Sequence, residues 1–234
     1  MKIKLSESVN LDNSAFTLVE VALAIGLVAF ALSAIIGILP MGMRVQEKNL
    51  EDTIINQDGP IIMEAIRSGS TNLALLESSI DWLRRVEMSN GVPIFTNVFT
   101  NANNPENIVG QLSQPKYDPN FTTEFIGQAK FVAGSGSLLI KDTAPAVRAM
   151  AFSYLVTSEV IPLQTRINAN PTLTNSVYDI KLTLNWPIRP GSTPNSFRVG
   201  RGKKVFRSTV TGYSFQSGEN FFIRPGIMAP YTSP

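Results

Sequence analysis

FTLVEVALAIGLVAFALSAIIGILP, Phe16 to Pro40, is the stretch on which the reading of this chain turns. From Val21 to Leu39 it carries no charged residue. Nineteen residues in helix, at about 1.5 Å each, span the roughly 30 Å hydrocarbon thickness of a bilayer. Ala22, Ala24, Gly26, Ala29, Ala31, Ser33, Ala34 and Gly37 give the run small faces. Such faces let helices approach closely in lipid, where packing replaces the hydrophobic effect as the force that joins them. Pro40 lacks an N–H and disfavours helix in front of it, which predicts a kink or a stop at the end of the run.

Other readings of the run stand beside the membrane span. A cleavable secretory signal has a candidate site at Ala29 and Ala31, but that site lies inside the apolar run. A plain signal anchor fits the length. A core helix of a soluble protein has to hide nineteen apolar residues in a small head. Counting cations does not orient the span, since Lys2 and Lys4 precede it while Arg44 and Lys48 follow closely.

Outward from the run, 234 residues suit a long helix and one globular head of about 150 residues. Charged residues make up 16% of the chain, below the roughly 25% usual for soluble domains, because apolar residues are concentrated at the N-terminus. There is no Cys and no His. That excludes disulfides, thiolate metal sites, and every Ser-His or Cys-His nucleophile arrangement. A formal charge of +2 gives no global field that selects a polyanionic partner. No cofactor and no catalytic role are expected.

The segment leading into the run, NSAFTLVEVAL from Asn13 to Leu23, resembles the class III signal of type IV pilins and type II secretion pseudopilins. The resemblance implies a polar leader over residues 1–15, cut by a prepilin peptidase between Ala15 and Phe16. It implies N-methylation of Phe16, and an assembly role for Glu20 in setting register. That family prefers Gly before the cut, where this chain has Ala15. The stretch on to Gly42 is also similar to the pilin-like proteins called Verru_Chthon cassette protein B, whose own role is undefined. The partners implied are the peptidase, other pilin or pseudopilin subunits, and the membrane, with no nucleic acid expected. The implied location is the inner (cytoplasmic) membrane, crossed once, with the head in the periplasm or on the cell exterior after assembly. Major subunits tend to be shorter, so the length suggests a minor one.

Glu20 also has a reading of its own. A carboxylate at depth in a bilayer costs up to about 2.5–3.5 kcal/mol, and such residues are usually paired. Cleavage before Phe16 supplies an amine, about 6 Å from Glu20 along one helix axis. In a bundle, one subunit's amine and its neighbour's Glu20 can meet, which favours one axial register. The alternative is that Glu20 sits at the headgroup level at almost no cost.

Beyond Pro40, Leu50, Ile54, Ile61 and Ala65, with Ile55, Ile62 and Ile66 beside them, predict a further amphipathic helix. Gly59 and Pro60 read as a cap and first-turn proline, which predicts a kink or a break before a new helix. Asn72 to Met88, with Leu73, Leu76, Ile80 and Leu83 on one face, reads as another helix, stopped by Asn90 and Gly91. Residues 92–120, rich in Asn and Pro, read as a long surface loop without the spacing of a calcium loop. Ala149 to Pro162, Ser176 to Trp186 and Lys203 to Tyr213 read as strands. In the second of these, Tyr178, Ile180, Leu182 and Leu184 alternate with polar residues, as in a half-buried antiparallel sheet.

The expected organisation is therefore a leader (1–15), a transmembrane assembly helix (16–40), an amphipathic helical region (41–90) and a loop-rich β-sheet head (91–234). The expected fold class is α+β, a long N-terminal helix packed on an antiparallel sheet. One basic cluster stands out: Arg198, Arg201, Lys203, Lys204 and Arg207, interleaved with Phe197 and Phe206. It reads as a charge guard on a turn or edge strand, with phosphate binding the other option. The competing functional class is an extracytoplasmic ligand-binding or enzymatic head on a simple signal anchor. That reading needs a convergent polar site, and none can be named from the residues.

Overall fold

The computed structural model describes residues 17–69, 79–99, 104–117, 122–132, 152–162, 177–191 and 196–226. The chain divides after Leu50 into two compact units. Helix α1 (Leu18–Ser68) supplies the described part of the first unit up to Leu50. It runs through Pro40, so of the kink or stop expected there the stop is overturned.

The second unit holds residues 51–68 of α1, then β1 (Ile80–Ser89), β2 (Val92–Phe99), α2 (Pro105–Leu112), β3 (Glu124–Val132), β4 (Ser153–Pro162), β5 (Val177–Pro190), β6 (Phe197–Ser217) and β7 (Asn220–Pro225). The strands make one seven-stranded sheet in the order β2-β1-β3-β4-β5-β6-β7, with every neighbouring pair antiparallel. With α1, this is the α+β layout expected.

Alternation in β5 builds the core. Tyr178, Ile180, Leu182 and Leu184 are buried on one face, while Asp179 and Lys181 point away from it. Across the register, Leu83, Ala129, Val156 and Leu184 line up on four successive strands, and each is 0% exposed. Ile55, Ile62 and Ile66 of α1 and Ile108, Val109 and Leu112 of α2 join the same core. Each fully buried Ile or Leu contributes about 1.5–3 kcal/mol.

The inward stripe of α1 is Ile55, Gly59, Ile62 and Ile66, at helical spacing. Leu50 and Ile61, expected on it, are instead 63% and 41% exposed. Gly59 and Pro60 do not break the helix. A Cβ at Gly59 falls 2.3 Å from Cε2 of Phe206, so the glycine lets the helix close on β6. One residue earlier, the Tyr154 hydroxyl donates to Asp58 Oδ2 at 2.6 Å, tying α1 to β4.

Two further expectations are corrected. Residues 80–88, read as helix, form most of β1, while 72–78 lie outside the described residues. Asn90 (φ +50°) and Gly91 (φ +78°) do not stop a helix but make the two-residue turn of the β1–β2 hairpin. Two successive positive φ values suit the right-handed strand twist, and Asn-Gly is the pair that adopts them most readily. Likewise, the expected loop after Gly91 contains β2 and α2. Asn104 caps α2, its side-chain oxygen accepting from the Glu106 N–H, and Pro105 opens the first turn.

The sheet curls. Trp82 of β1 lies 5.4 Å from Phe197 of β6, although β3, β4 and β5 stand between those strands in the sheet. The Ser153 hydroxyl of β4 donates to the Ile188 carbonyl of neighbouring β5 at 3.0 Å.

Candidate functional site

At the start of α1, the Val21 N–H donates to the Thr17 carbonyl at 3.1 Å and the Glu20 N–H to Thr17 Oγ1 at 3.3 Å. Thr17 is thus the N-cap and Glu20 the third residue of the first turn. Thr-x-x-Glu is the spacing of a capping box, in which the acid reaches back to the N–H of the cap. An acid there also suits the positive end of the helix dipole. The sequence reading missed this local role, although the spacing was in view. Of the predicted site residues only Glu20 is placed; Ala15 and Phe16 lie outside the described residues.

From Leu18 to Leu50 every residue of α1 is exposed, including Leu23, Phe30 and Ile36 at 66%, 76% and 71%. No atom comes within 4 Å of a Cβ built at Gly26, Gly37 or Gly42. The Ser33 hydroxyl donates to the Ala29 carbonyl at 2.8 Å, so this polar side chain is satisfied inside its own helix. The helix is long and apolar enough to cross a membrane.

In the head, charges on the sheet mostly satisfy one another. Glu159 accepts from Lys116 (2.9 Å) and Lys181 (2.6 Å), and Lys130 pairs with Asp81 at 2.8 Å. Partial burial alone raises the Glu159 carboxyl, but the two ammonium groups outweigh it and hold it below the usual carboxylate range. Arg84 donates to Gln128 at 2.6 and 2.8 Å and lies 4.7 Å over Trp82 and 5.0 Å over Phe197. Burial pushes Asp58 up despite its hydrogen bond from Tyr154, and pushes the Tyr154 hydroxyl well up as well. An open groove of about 280 Å³ between the end of α1 and β6–β7 is lined by Glu64 and Arg67, which pair with each other at 2.9 Å. Among the described residues no three His, Cys, Asp or Glu side chains gather to hold a metal.

The basic cluster lies along β6. Arg198, Arg201, Lys203 and Arg207 are exposed, while the Lys204 amine donates to Asn56 Oδ1. Its aromatic neighbours are engaged elsewhere: Phe197 against Trp82, Phe206 over Gly59. Flat aromatic faces for stacking bases are therefore not on offer beside these cations.

Fold and site together define an α+β head and, among the described residues, one helix long and apolar enough to cross a membrane. Comparison with protein-family models, with curated proteins and with solved structures finds no match to this chain.

Proposed function

We propose that this chain is a non-catalytic structural subunit of the pilin kind, a minor pilin or pseudopilin-like protein of a type IV pilus or type II secretion-like filament. The observation that carries the reading is the continuous exposure of α1 from Leu18 to Leu50, including its charge-free run from Val21 to Leu39, which no described residue of the chain buries. Lipid covers such a surface in the membrane, and neighbouring helices cover it in an assembly. The signal around Ala15 and Phe16 supplies the route from one to the other. A prepilin peptidase frees the Phe16 amine, the amine is methylated, and the Glu20 carboxylate of a neighbouring subunit pairs with it. The head stands in the periplasm or outside the cell, and nothing in the reading requires it to bind nucleic acid.

The capping geometry makes Glu20 a discriminating test. Glu20→Gln keeps a side chain that can complete the capping box but removes the charge, while Glu20→Asp keeps the charge. Glu20→Gln and Glu20→Ala chains are expected to remain in the membrane and to be lost from sedimentable assemblies, with Glu20→Asp partly retained. Normal assembly of Glu20→Gln reduces Glu20 to a helix cap. Absence of assembly even by the unaltered chain favours a head on a plain signal anchor.

A further inference from the structure

Two strand edges have no strand partner among the described residues: the outer edge of β2, and β6 from Phe197 to Thr211, before β7 joins at Gly212. They differ in chemistry. Val92, Ile94, Phe95 and Val98 of β2 are 56–61% exposed, and the strand carries no charge. Pro93 and a register irregularity blunt its first part, leaving residues 95–99 as a regular edge. β6 carries five cations and no acid. The whole chain sums to +2, so removing the +5 of β6 leaves −3 on everything else.

An exposed apolar edge is a template for pairing with another chain unless something covers it. Charge selects what can. Two β6 edges repel each other through their cations, whereas β6 against β2 sets its cations beside an uncharged strand on a body of opposite net charge. Direction agrees as well. Neighbouring strands alternate throughout β2-β1-β3-β4-β5-β6, so β2 and β6 run in opposite senses. A copy brought alongside without reversing its sheet therefore continues the antiparallel pattern. Val205, 41% exposed on β6, offers an apolar partner for Val98 of the neighbouring copy.

We propose that the head binds a second copy of this chain edge to edge, β6 of one copy against β2 of the next. The contact is heterologous, leaving one free edge at each end and so able to repeat. A five-residue edge buries far less than the about 1,600 Å² of a standard interface, so the contact holds chains already gathered in one membrane. It uses no residue of the exposed run of α1 and does not depend on cleavage before Phe16.

The chain has no cysteine, so introduced thiols report only on their own positions. Two differently tagged full-length chains are co-expressed, one with Thr96→Cys on β2 and the other with Val199→Cys, Val205→Cys or Thr209→Cys on β6, and oxidised in the membrane. A mixed-tag disulfide is expected with one β6 position at least about fivefold above the other two, because strand pairing fixes register. Adding Val98→Lys is expected to lower that yield about tenfold, while Val98→Glu leaves it within about twofold, since the partner strand is cationic. Thr96→Cys dimers in excess of the mixed product overturn the proposal in favour of a two-fold contact. Capture of a different protein, no cross-link at all, or equal losses for Lys and Glu also overturn it.

Discussion

Residues 18–50 and 51–68 belong to one helix and draw on the same side chains, yet they meet different surroundings. In the first stretch Leu, Ile and Phe point in every direction and all are exposed. In the second, Ile55, Ile62 and Ile66 lie on one stripe at 0–1% exposure against the sheet, while the other side carries Thr53, Asn56, Gln57, Glu64 and Arg67 with Ile61 among them. The second stretch is buried against the sheet; the first is left exposed by the described residues. Apolarity all round a helix, rather than on a stripe, is what a lipid or many-helix environment demands.

The sharpest way to break this contrast is to truncate apolar side chains on both sides of it. Ile62→Ala or Ile66→Ala is expected to cost about 2–5 kcal/mol by denaturant unfolding of the head in the full-length chain. Leu27→Ala or Ile36→Ala, on the exposed stretch, should leave that unfolding within about 0.5 kcal/mol. Next come the glycines: Gly59→Val forces atoms into the Phe206 ring and is expected to cost about 1–3 kcal/mol. Gly37→Val, with open space around it, should not change head stability.

The Asp58–Tyr154 bond probes how α1 is held. Tyr154→Phe leaves a half-buried carboxylate without its donor and is expected to cost about 1–2 kcal/mol. The folded Asp58 is raised above its unfolded value by burial, so its contribution is fully present below the unfolded value and is lost as pH rises through the folded one. Glu159, held low by Lys181 and Lys116, behaves oppositely: its contribution is present above the unfolded value and is lost as pH falls through the folded one. Asp58→Asn should remove only the first dependence and Glu159→Gln only the second, read from unfolding midpoints across the acid range. The smallest effect is expected at the exposed Glu64–Arg67 pair, where Arg67→Ala should cost at most about 1 kcal/mol.

What the residues disclosed follows from which periodicities are unambiguous. The charge-free run and the strict alternation of β5 each admit one geometry, and both were legible. β1 was not, because Ile80, Leu83 and Val86 are buried three apart. That spacing imitates a helix, but here a register irregularity between Ile80 and Trp82, together with burial on both faces, produces it. β2 was hidden by Pro93, which an edge strand tolerates and a central strand does not, and by the Asn-rich residues that follow it. Gly59 read as punctuation because the ring that needs its missing Cβ comes from Phe206, 147 residues further along, a contact no local pattern reports. At the start of α1, Thr17 and Glu20 stand at the Thr-x-x-Glu spacing of a capping box, a local pairing legible from the residues alone.

The central claim is that this apolar helix is a processed assembly element, and intact mass with N-terminal sequencing of the protein from its native membrane fraction tests it most directly. The account predicts a chain beginning at N-methylated Phe16. A chain beginning at Met1, or one cut after Ala31, contradicts it.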